Sequence, residues 1–452
     1  MKFSRYNFDF EDKGVLYLYN SKNAEFVKMA KPEDIESYRE LQKSSDLSLD
    51  NPTVNALYSR GYFVDDYADE YKEVQEIINK IYSDREKCLS LMIFTTEQCN
   101  FRCVYCCEGH VDKRLSDENW ENILKFIEKR IEHDKVEIVR ITFFGGEPLL
   151  ETKKILEFSK KLNDLKKKYK NLIIDNNITT NGYLLTPKLY DELVKLNLLN
   201  YQITVDGFAE THNKMRPRVD GVGTWDKIIE NLKYINSRED KASIIVRCNF
   251  NATNEGTVKE FMAWARKTFN NDKFKFMAHP VVKFSNNVSE EQLADLNSKE
   301  KKNKFAEIEN EERSYNQYHN PLRNLGYTCK CSIKNYYVIK VNGRVSKCEQ
   351  AYGDGLDVGY LDEDGIHFDI DERLWTEGYE TENCEECYIY PLCAARVCPV
   401  RKIFDLERKD CLLNRLKDDE SIMDPIKTAI TAGAFDYSKS KVIRRVNPEE
   451  KN

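Results

Sequence analysis

The stretch TTEQCNFRCVYCCEGH, residues 95–110, places four cysteines within nine positions. It continues an apolar run, CLSLMIFTT (88–96), with the composition of a buried strand. Disulfides, zinc and iron–sulfur clusters all use thiols this close together. The chain holds 14 cysteines, and its start, MKFSRYNFDFEDKG, lacks the apolar core of an export signal. A cytoplasmic location is therefore expected, where thiols stay reduced and free for metals. Structural zinc takes paired C-x2-C units and four ligands. The 3-then-2 spacing of Cys99, Cys103 and Cys106 instead suits an iron–sulfur cluster. Three thiolates leave one iron of a [4Fe–4S] cube without a protein ligand, open to a small molecule. Cys107 is one thiol more than this needs and reads as a structural or incidental neighbour.

Working outward, six strand candidates alternate with helical patterns between residues 88 and 282. The strands are CLSLMIFTT, VEIVRITFF, LIIDNNITT, NYQITVDG, ASIIVRCNF and FKFMAHPVV. Helical spacing falls at 116–132, 152–169, 187–197, 224–238 and 255–269. Such alternation predicts parallel βαβ units, in either a doubly wound sheet or an incomplete α/β barrel. TTEQCN, GGEP, TTNG and DG follow the strand C-termini, the edge that carries active sites in both architectures.

The length of 452 residues suggests about three domains. Net charge is −7 with both signs interspersed, which gives no nucleic-acid footprint. No apolar run is long enough to span a membrane. Nucleic acid and membrane are therefore not expected partners. The boundaries read from pattern are 1–85, a small β-plus-α unit with a hairpin around SKN; 86–284, the βαβ region; 285–325, a charged linker or bridging region; 326–415, short-stranded and cysteine-rich; and 416–452, a tail.

CNFRCVYC, with Tyr105 before the third cysteine, resembles the signature of radical S-adenosylmethionine (SAM) enzymes. Gly145-Gly146-Glu147-Pro148 resembles that family's motif for the SAM amino group. Glycines admit close approach of backbone carbonyls, and Glu147 can pair with an ammonium. TTNG and TVDG resemble its ribose and methionyl contacts, and DGFAETHNKMRP resembles the Asp-Gly…His…Arg segment of one branch. The resemblance implies a partial (β/α)6 barrel with Cys99, Cys103 and Cys106 on iron and SAM on the open iron. One-electron cleavage of SAM would give a 5′-deoxyadenosyl radical that abstracts hydrogen from substrate. Asn181 and Asp206 become ribose or methionyl candidates, or loop caps. Arg216 is a candidate for the SAM carboxylate, or a plain ion pair. Tyr105 is a candidate wall for the cluster or adenine. His212 and His279 read as loop or packing residues, and Cys88 and Cys248 as small core residues.

The remaining cysteines are spaced as Cys331-x11-Gly343-x4-Cys348, then Cys384-x2-Cys387-x5-Cys393-x4-Cys398, then Cys411. This resembles the SPASM domain, which carries two auxiliary [4Fe–4S] clusters. The family has three residues between its fifth and sixth cysteines where AARV supplies four. The usual assignment gives Cys331, Cys348 and Cys398 to the first cluster and Cys384, Cys387, Cys393 and Cys411 to the second. Cys329 is the fourth ligand of the first, or that iron is open for a substrate thiolate. Paired zinc ribbons are the rival reading.

Order and length make residues 1–85 resemble, loosely, the winged-helix recognition element of enzymes that modify ribosomally made peptides. Such elements pair a leader peptide to a sheet edge. The whole resembles a peptide maturase that binds a precursor peptide and installs a cross-link, thioether or carbon–carbon/ether. Its electrons would come from a flavodoxin or ferredoxin. An anaerobic sulfatase-maturating (formylglycine-generating) enzyme is the alternative, disfavoured by the roughly 95 residues ahead of Cys99. A non-catalytic iron–sulfur peptide-binding protein is the alternative of another class.

Overall fold

The computed structural model describes residues 1–281 apart from 24, 45–46 and 107, and residues 329–395 apart from 350–355, together with Pro399. The expectations for 285–325, the tail 416–452, Cys107, Cys398 and Cys411 lie outside the described residues.

The expected alternation is present. Strands β6 (Cys88–Thr96), β7 (Ile138–Gly145), β8 (Ile173–Thr180), β9 (Leu198–Thr204), β10 (Ser243–Phe250) and β11 (Phe274–Pro280) lie side by side in chain order, every neighbouring pair parallel. Helices α4 (Asp117–Asp134), α5 (Thr152–Lys168), α6 (Pro187–Lys195), α8 (Trp225–Asn236) and α9 (Val258–Thr268) form the crossovers. The short α7 (Ala209–Met215) lies in the β9–α8 connection, where no helix was expected. In α5 the buried Ile155, Phe158, Ser159, Leu162 and Leu165 recur at helical spacing, so one stripe faces the sheet. Helix starts are capped from sequence: Ser116 accepts from the Asn119 amide, and Thr186, ahead of Pro187, accepts from Leu189. β6 and β11 do not pair, so the arc of six stays open and forms a partial barrel.

The free side of β6 is taken by the cysteine-rich region. β12 (Tyr336–Ile339) pairs parallel to β6, and β13 (Arg344–Ser346), β14 (Asp357–Leu361) and β15 (Ile366–Phe368) continue antiparallel, giving one ten-stranded sheet. Val338, Ile339, Val345, Val358 and Trp375 share the barrel's apolar core. Burial therefore stabilises this segment in addition to whatever metal contributes.

The N-terminal residues form β1 (Lys2–Phe3) paired with β5 (Phe63–Val64), and a three-stranded antiparallel sheet of β2 (Asn7–Asp12), β3 (Val15–Asn20) and β4 (Glu25–Met29). Helices α1 (Pro32–Leu41), α2 (Pro52–Tyr58) and α3 (Glu70–Glu86) complete the unit. Alternation splits β3: Leu16 and Leu18 join Tyr38 and Leu41 of α1 on one face, while Tyr17 and Tyr19 face the other way. That second face is covered by Tyr388, Ile389 and Leu392. A third cluster joins Tyr6 and α3 residues Val74, Ile78 and Tyr82 to Cys384, Tyr390, Ala394 and Ala395. No helix among the described residues is long and apolar enough to cross a membrane.

Candidate active site

Cys99, Cys103 and Cys106 lie in the loop that leaves β6 at the C-terminal edge of the sheet. Neighbouring strand ends clamp this loop. The amides of Gly146 and Glu147 donate to the carbonyls of Thr96 (2.9 Å) and Gln98 (2.8 Å). This close approach needs glycine. A Cβ on Gly146 would stand 2.1 Å from the Gln98 carbonyl oxygen, and one on Gly145 (φ +118°) 2.2 Å from that of Thr96. From β8, the Asn181 side-chain amide donates to Asn100 Oδ1 at 2.7 Å. From the end of α7 and the segment after it, the carbonyls of Met215 and Pro217 accept from the Val104 (3.0 Å) and Arg102 (2.8 Å) amides, and the Val219 amide donates to the Asn100 carbonyl (2.9 Å).

Glu147 is fully buried. Its Oε1 accepts from Leu149 N (3.0 Å) and Thr180 Oγ1 (2.6 Å), and its Oε2 from Asn181 N (2.8 Å). The carboxylate therefore locks the ends of β7 and β8 together. Three of its roughly four acceptor positions are filled, which leaves one for an incoming donor. Pro148 opens the single 3-10 turn that Glu147 caps.

Asp206, Tyr105 and Arg216 form one buried network beside the cysteine loop. The Tyr105 hydroxyl is shared among Asp206 Oδ2, Arg216 Nη1 (2.6 Å) and Asn249 Nδ2 (3.0 Å). Arg216 lies 3.8 Å from Asp206 and over the Phe101 ring. Its Nε is buried without a hydrogen-bond partner. Asp206 Oδ1 accepts from the Asn249 amide (2.7 Å), and its own carbonyl from Asn254 Nδ2 (3.1 Å). Burial pushes the Asp206 carboxyl up, opposed by Arg216.

Behind it, His212 Nδ1 accepts from the Asp206 amide (3.1 Å). The ring proton therefore sits on Nε2, which meets Thr224 Oγ1 at 3.1 Å. Thr224 in turn donates to the Arg216 carbonyl at 2.8 Å. Burial first, and then Arg216, hold this imidazole well below its usual pKa, so it is neutral. Thr224, Asn249 and Asn254 were not singled out in sequence. The asparagine-rich run that ends β10 and follows it, NFNATNEG (249–256), was the available signal.

The residues fit the cluster and SAM that the motif resemblance implies. Burial first, and then Glu147, push the Cys99 thiol up to about 12, and burial raises Cys103. Thiols so placed stay protonated until a cationic cluster ionises them. A tetrahedral zinc would need sulfurs about 3.8 Å apart. Among the described residues the group of His, Cys, Asp or Glu ligand atoms that lies within 4.8 Å of one another is Cys331, Cys348 and Glu349, not the loop triad. The wider triad suits separate irons of one cluster. The glycine cradle, the open acceptor position of Glu147 and the unpartnered Arg216 Nε supply polar groups for a zwitterionic ligand.

The second cysteine group divides. Cys331, in the turn Lys330–Ser332 before β12, is buried, and Cys348 follows β13. The Cys331 thiol's hydrogen bond pushes Cys329 down. The Ser90 amide donates to the Asn335 carbonyl (2.8 Å), so this group sits near the N-terminal edge of the sheet. Cys384, Cys387 and Cys393 lie on the segment packed against the N-terminal unit. Ala394 and Ala395, which open the AARV insertion, both take left-handed backbone with φ +50°. Of the lone thiols, Cys248 is buried and Cys88 is half-buried beside Ser90 Oγ. His279 meets the Pro280 carbonyl.

The radical SAM superfamily profile matches residues 93–265. Over 227 residues the chain is 28% identical to the radical SAM cyclopropyl synthase TigE of Paramaledivibacter caminithermalis, covering 46% of this chain and 47% of that protein. The matched region thus spans about half the length of that relative. Over 336 residues it is 26% identical to a cysteine-type anaerobic sulfatase-maturating enzyme of Clostridium novyi, covering 68% of this chain and 87% of that one. A solved structure described as native anSMEcpe with bound AdoMet and Cp18Cys peptide has the same fold, with a TM-score of 0.57 at 19% identity over 77% of this chain and 99% of that one.

Proposed function

Residues 93–265 form a radical SAM domain, and on that premise we propose that the protein is a peptide maturase that installs a cross-link in a ribosomally made precursor. The observation that supports it most is the clamped Cys99–Cys106 loop, held by the ends of β7 and β8 and by the segment at the end of α7, around a polar cradle. Cys99, Cys103 and Cys106 would hold the cluster. Gly145, Gly146 and Glu147 would receive the SAM amino group, with Asn181, Asp206, Arg216 and Tyr105 lining its other parts. When bound, cluster and SAM supply one-electron cleavage of a sulfonium and abstraction of a substrate hydrogen. The chain's own residues orient the ligand and exclude water from it.

On this reading, residues 1–85 are the recognition element, 86–284 the barrel, 285–325 a bridge, 326–415 an auxiliary-cluster domain and 416–452 a tail. β2 and β4 are the edge strands of the N-terminal sheet, available in principle for strand addition. Cys329, Cys331, Cys348 and Cys398 would hold one auxiliary [4Fe–4S] cluster, and Cys384, Cys387, Cys393 and Cys411 the other. Electrons would come from a cytoplasmic flavodoxin or ferredoxin. Thioether and carbon–carbon or ether linkage are both kept. The cyclopropyl synthase among the relatives bears a name for carbon–carbon bond formation.

Sulfatase maturation is the second reading, favoured by the match across 87% of the Clostridium novyi enzyme. The test is anaerobic co-expression with short peptides encoded beside the gene, followed by mass spectrometry. Loss of two hydrogens per linkage supports cross-linking. Conversion of a Cys or Ser side chain to an aldehyde, with no linkage formed, moves the assignment to sulfatase maturation.

A further inference from the structure

Tyr6 is fully buried where the N-terminal unit meets the segment carrying Cys384, Cys387 and Cys393. It belongs to one buried cluster with Val74, Ile78 and Tyr82 of α3 and with Cys384, Tyr390, Ala394 and Ala395, and Cys387 packs against that cluster. Other hydroxyls at this junction have partners. Tyr71 and Tyr390 both donate to Glu380 (2.9 and 2.6 Å), and Ser21 Oγ to the Tyr388 carbonyl (2.6 Å). The Tyr6 hydroxyl is buried with no partner. An unpartnered buried hydroxyl costs about 1–3 kcal/mol and is uncommon in native proteins.

The acceptor it lacks is explained by the surrounding chemistry. A protonated thiol accepts hydrogen bonds weakly, whereas a metal-bound thiolate carries negative charge. Cys384 belongs to the same buried cluster as Tyr6, and Cys387 packs against it, so the ring and these thiols share one junction. We propose that the Tyr6 hydroxyl donates a hydrogen bond to a sulfur of the cluster held by Cys384, Cys387 and Cys393, and so sets its reduction potential from the N-terminal unit. This rests on the auxiliary-cluster reading of those cysteines. Tyr6 is a positioning residue of that cluster, with no part in the radical chemistry itself.

Hydrogen bonds to sulfur raise a cluster's potential by stabilising the more negative reduced state. In reconstituted full-length protein, Tyr6→Phe removes the donor and keeps the ring. An EPR-monitored redox titration should show one of three midpoints lowered by about 59 mV, a tenfold shift in a one-electron equilibrium. Iron content and the other two midpoints should hold. Ile78→Val trims the same packing without touching a donor and should move no midpoint. Unchanged midpoints in iron-replete Tyr6→Phe, or an equal shift in Ile78→Val, overturn the proposal. Should Tyr6→Phe not fold, proton ENDOR of the reduced wild type decides: an exchangeable proton on that cluster supports the proposal and its absence refutes it. A wild type holding only about four irons would instead remove the auxiliary-cluster reading, a failure visible before any variant is made.

Discussion

Gly146→Ala tests how the cysteine loop is held. The new Cβ would lie 2.1 Å from the Gln98 carbonyl oxygen, 2.5 Å from its carbon and 2.8 Å from the Glu97 oxygen, all of them backbone atoms. Nothing flexible can swing aside, so β7 and residues 97–98 must separate by more than about 1 Å to reach ordinary contact. The bond from the Glu147 amide to Gln98 O, now 2.8 Å, then stretches beyond hydrogen-bonding range, and the Gly146–Thr96 bond at 2.9 Å is strained with it. Overpacking costs about 1–3 kcal/mol, and each lost bond about 0.5–1.5 kcal/mol. Together these give about 4 kcal/mol, a large share of the roughly 5–15 kcal/mol that holds a typical domain. Because Cys99 follows Gln98 directly, the same displacement should reduce iron uptake at the triad. Urea unfolding of the apoprotein and iron analysis after anaerobic reconstitution measure both effects. Gly256→Ala is the control, since its Cβ meets nothing within 4 Å. It should be neutral or stabilise by about 0.4–1 kcal/mol. A Gly146→Ala protein with the wild-type urea midpoint and full iron would refute the reasoning.

Other expected outcomes follow the same geometry. Reconstituted wild type should hold about 12 irons, three cubes of four. Replacing Cys99, Cys103 and Cys106 together by alanine should leave about eight and abolish 5′-deoxyadenosine formation; retained SAM cleavage would sink the mechanism. Thr224→Val leaves His212 Nε2–H and the Arg216 carbonyl buried without their shared partner. It should cost about 2–4 kcal/mol in urea unfolding, and an unchanged midpoint would refute the role given to the Thr224 hydroxyl. Deleting residues 1–85 uncovers the packing around Cys384, Tyr388 and Tyr390. Iron content should then fall along with peptide affinity, whereas a truncated protein retaining every iron would show that the junction is dispensable.

Much of the fold was legible because its rules are local. Parallel strands buried on both faces read as Ile-, Val- and Phe-rich runs, and helices as apolar stripes with Ser, Thr or Pro at the start. The cysteine loop, Gly145-Gly146 and Glu147 stood out because few residue types can do what they do. What escaped depends on distant partners. NFDFED forms β2 although charged residues alternate through it, because Phe8 and Phe10 find the apolar face covered by Tyr388. YYVI adds to β6 instead of starting a separate sheet, a choice no local pattern records. Thr224 and Asn254 are ordinary polar residues until the fold brings them to Arg216 and Asp206.

The register of β12 also bears on what the auxiliary cysteines can do. Tyr336 pairs with Ser90 and Ile339 with Ile93 in parallel, so Cys331 precedes its strand at the level where β6 begins. β13 runs back down, which returns Cys348 to the same edge. The loop triad leaves from the other end of β6. Between Ser90 and Thr96 the strand climbs roughly 20 Å at about 3.3 Å per residue. A substrate thiolate anchored on iron at Cys331 and Cys348 could meet a radical generated above the Cys99 loop only through a peptide extended over about six residues. On the auxiliary-cluster reading, Cys329 would therefore be the fourth ligand of a closed first site rather than leave an iron for substrate. The substrate contact then falls to the C-terminal edge of the barrel. The second group is set apart differently, because Cys384, Cys387 and Cys393 lie in the clusters that join this segment to the aromatic face of β2 and β3 and to α3. A peptide paired to that N-terminal sheet would load the same unit that presses on Cys384 and Cys387. On the proposed reading, packing at this junction would link peptide binding to the redox state of the second cluster.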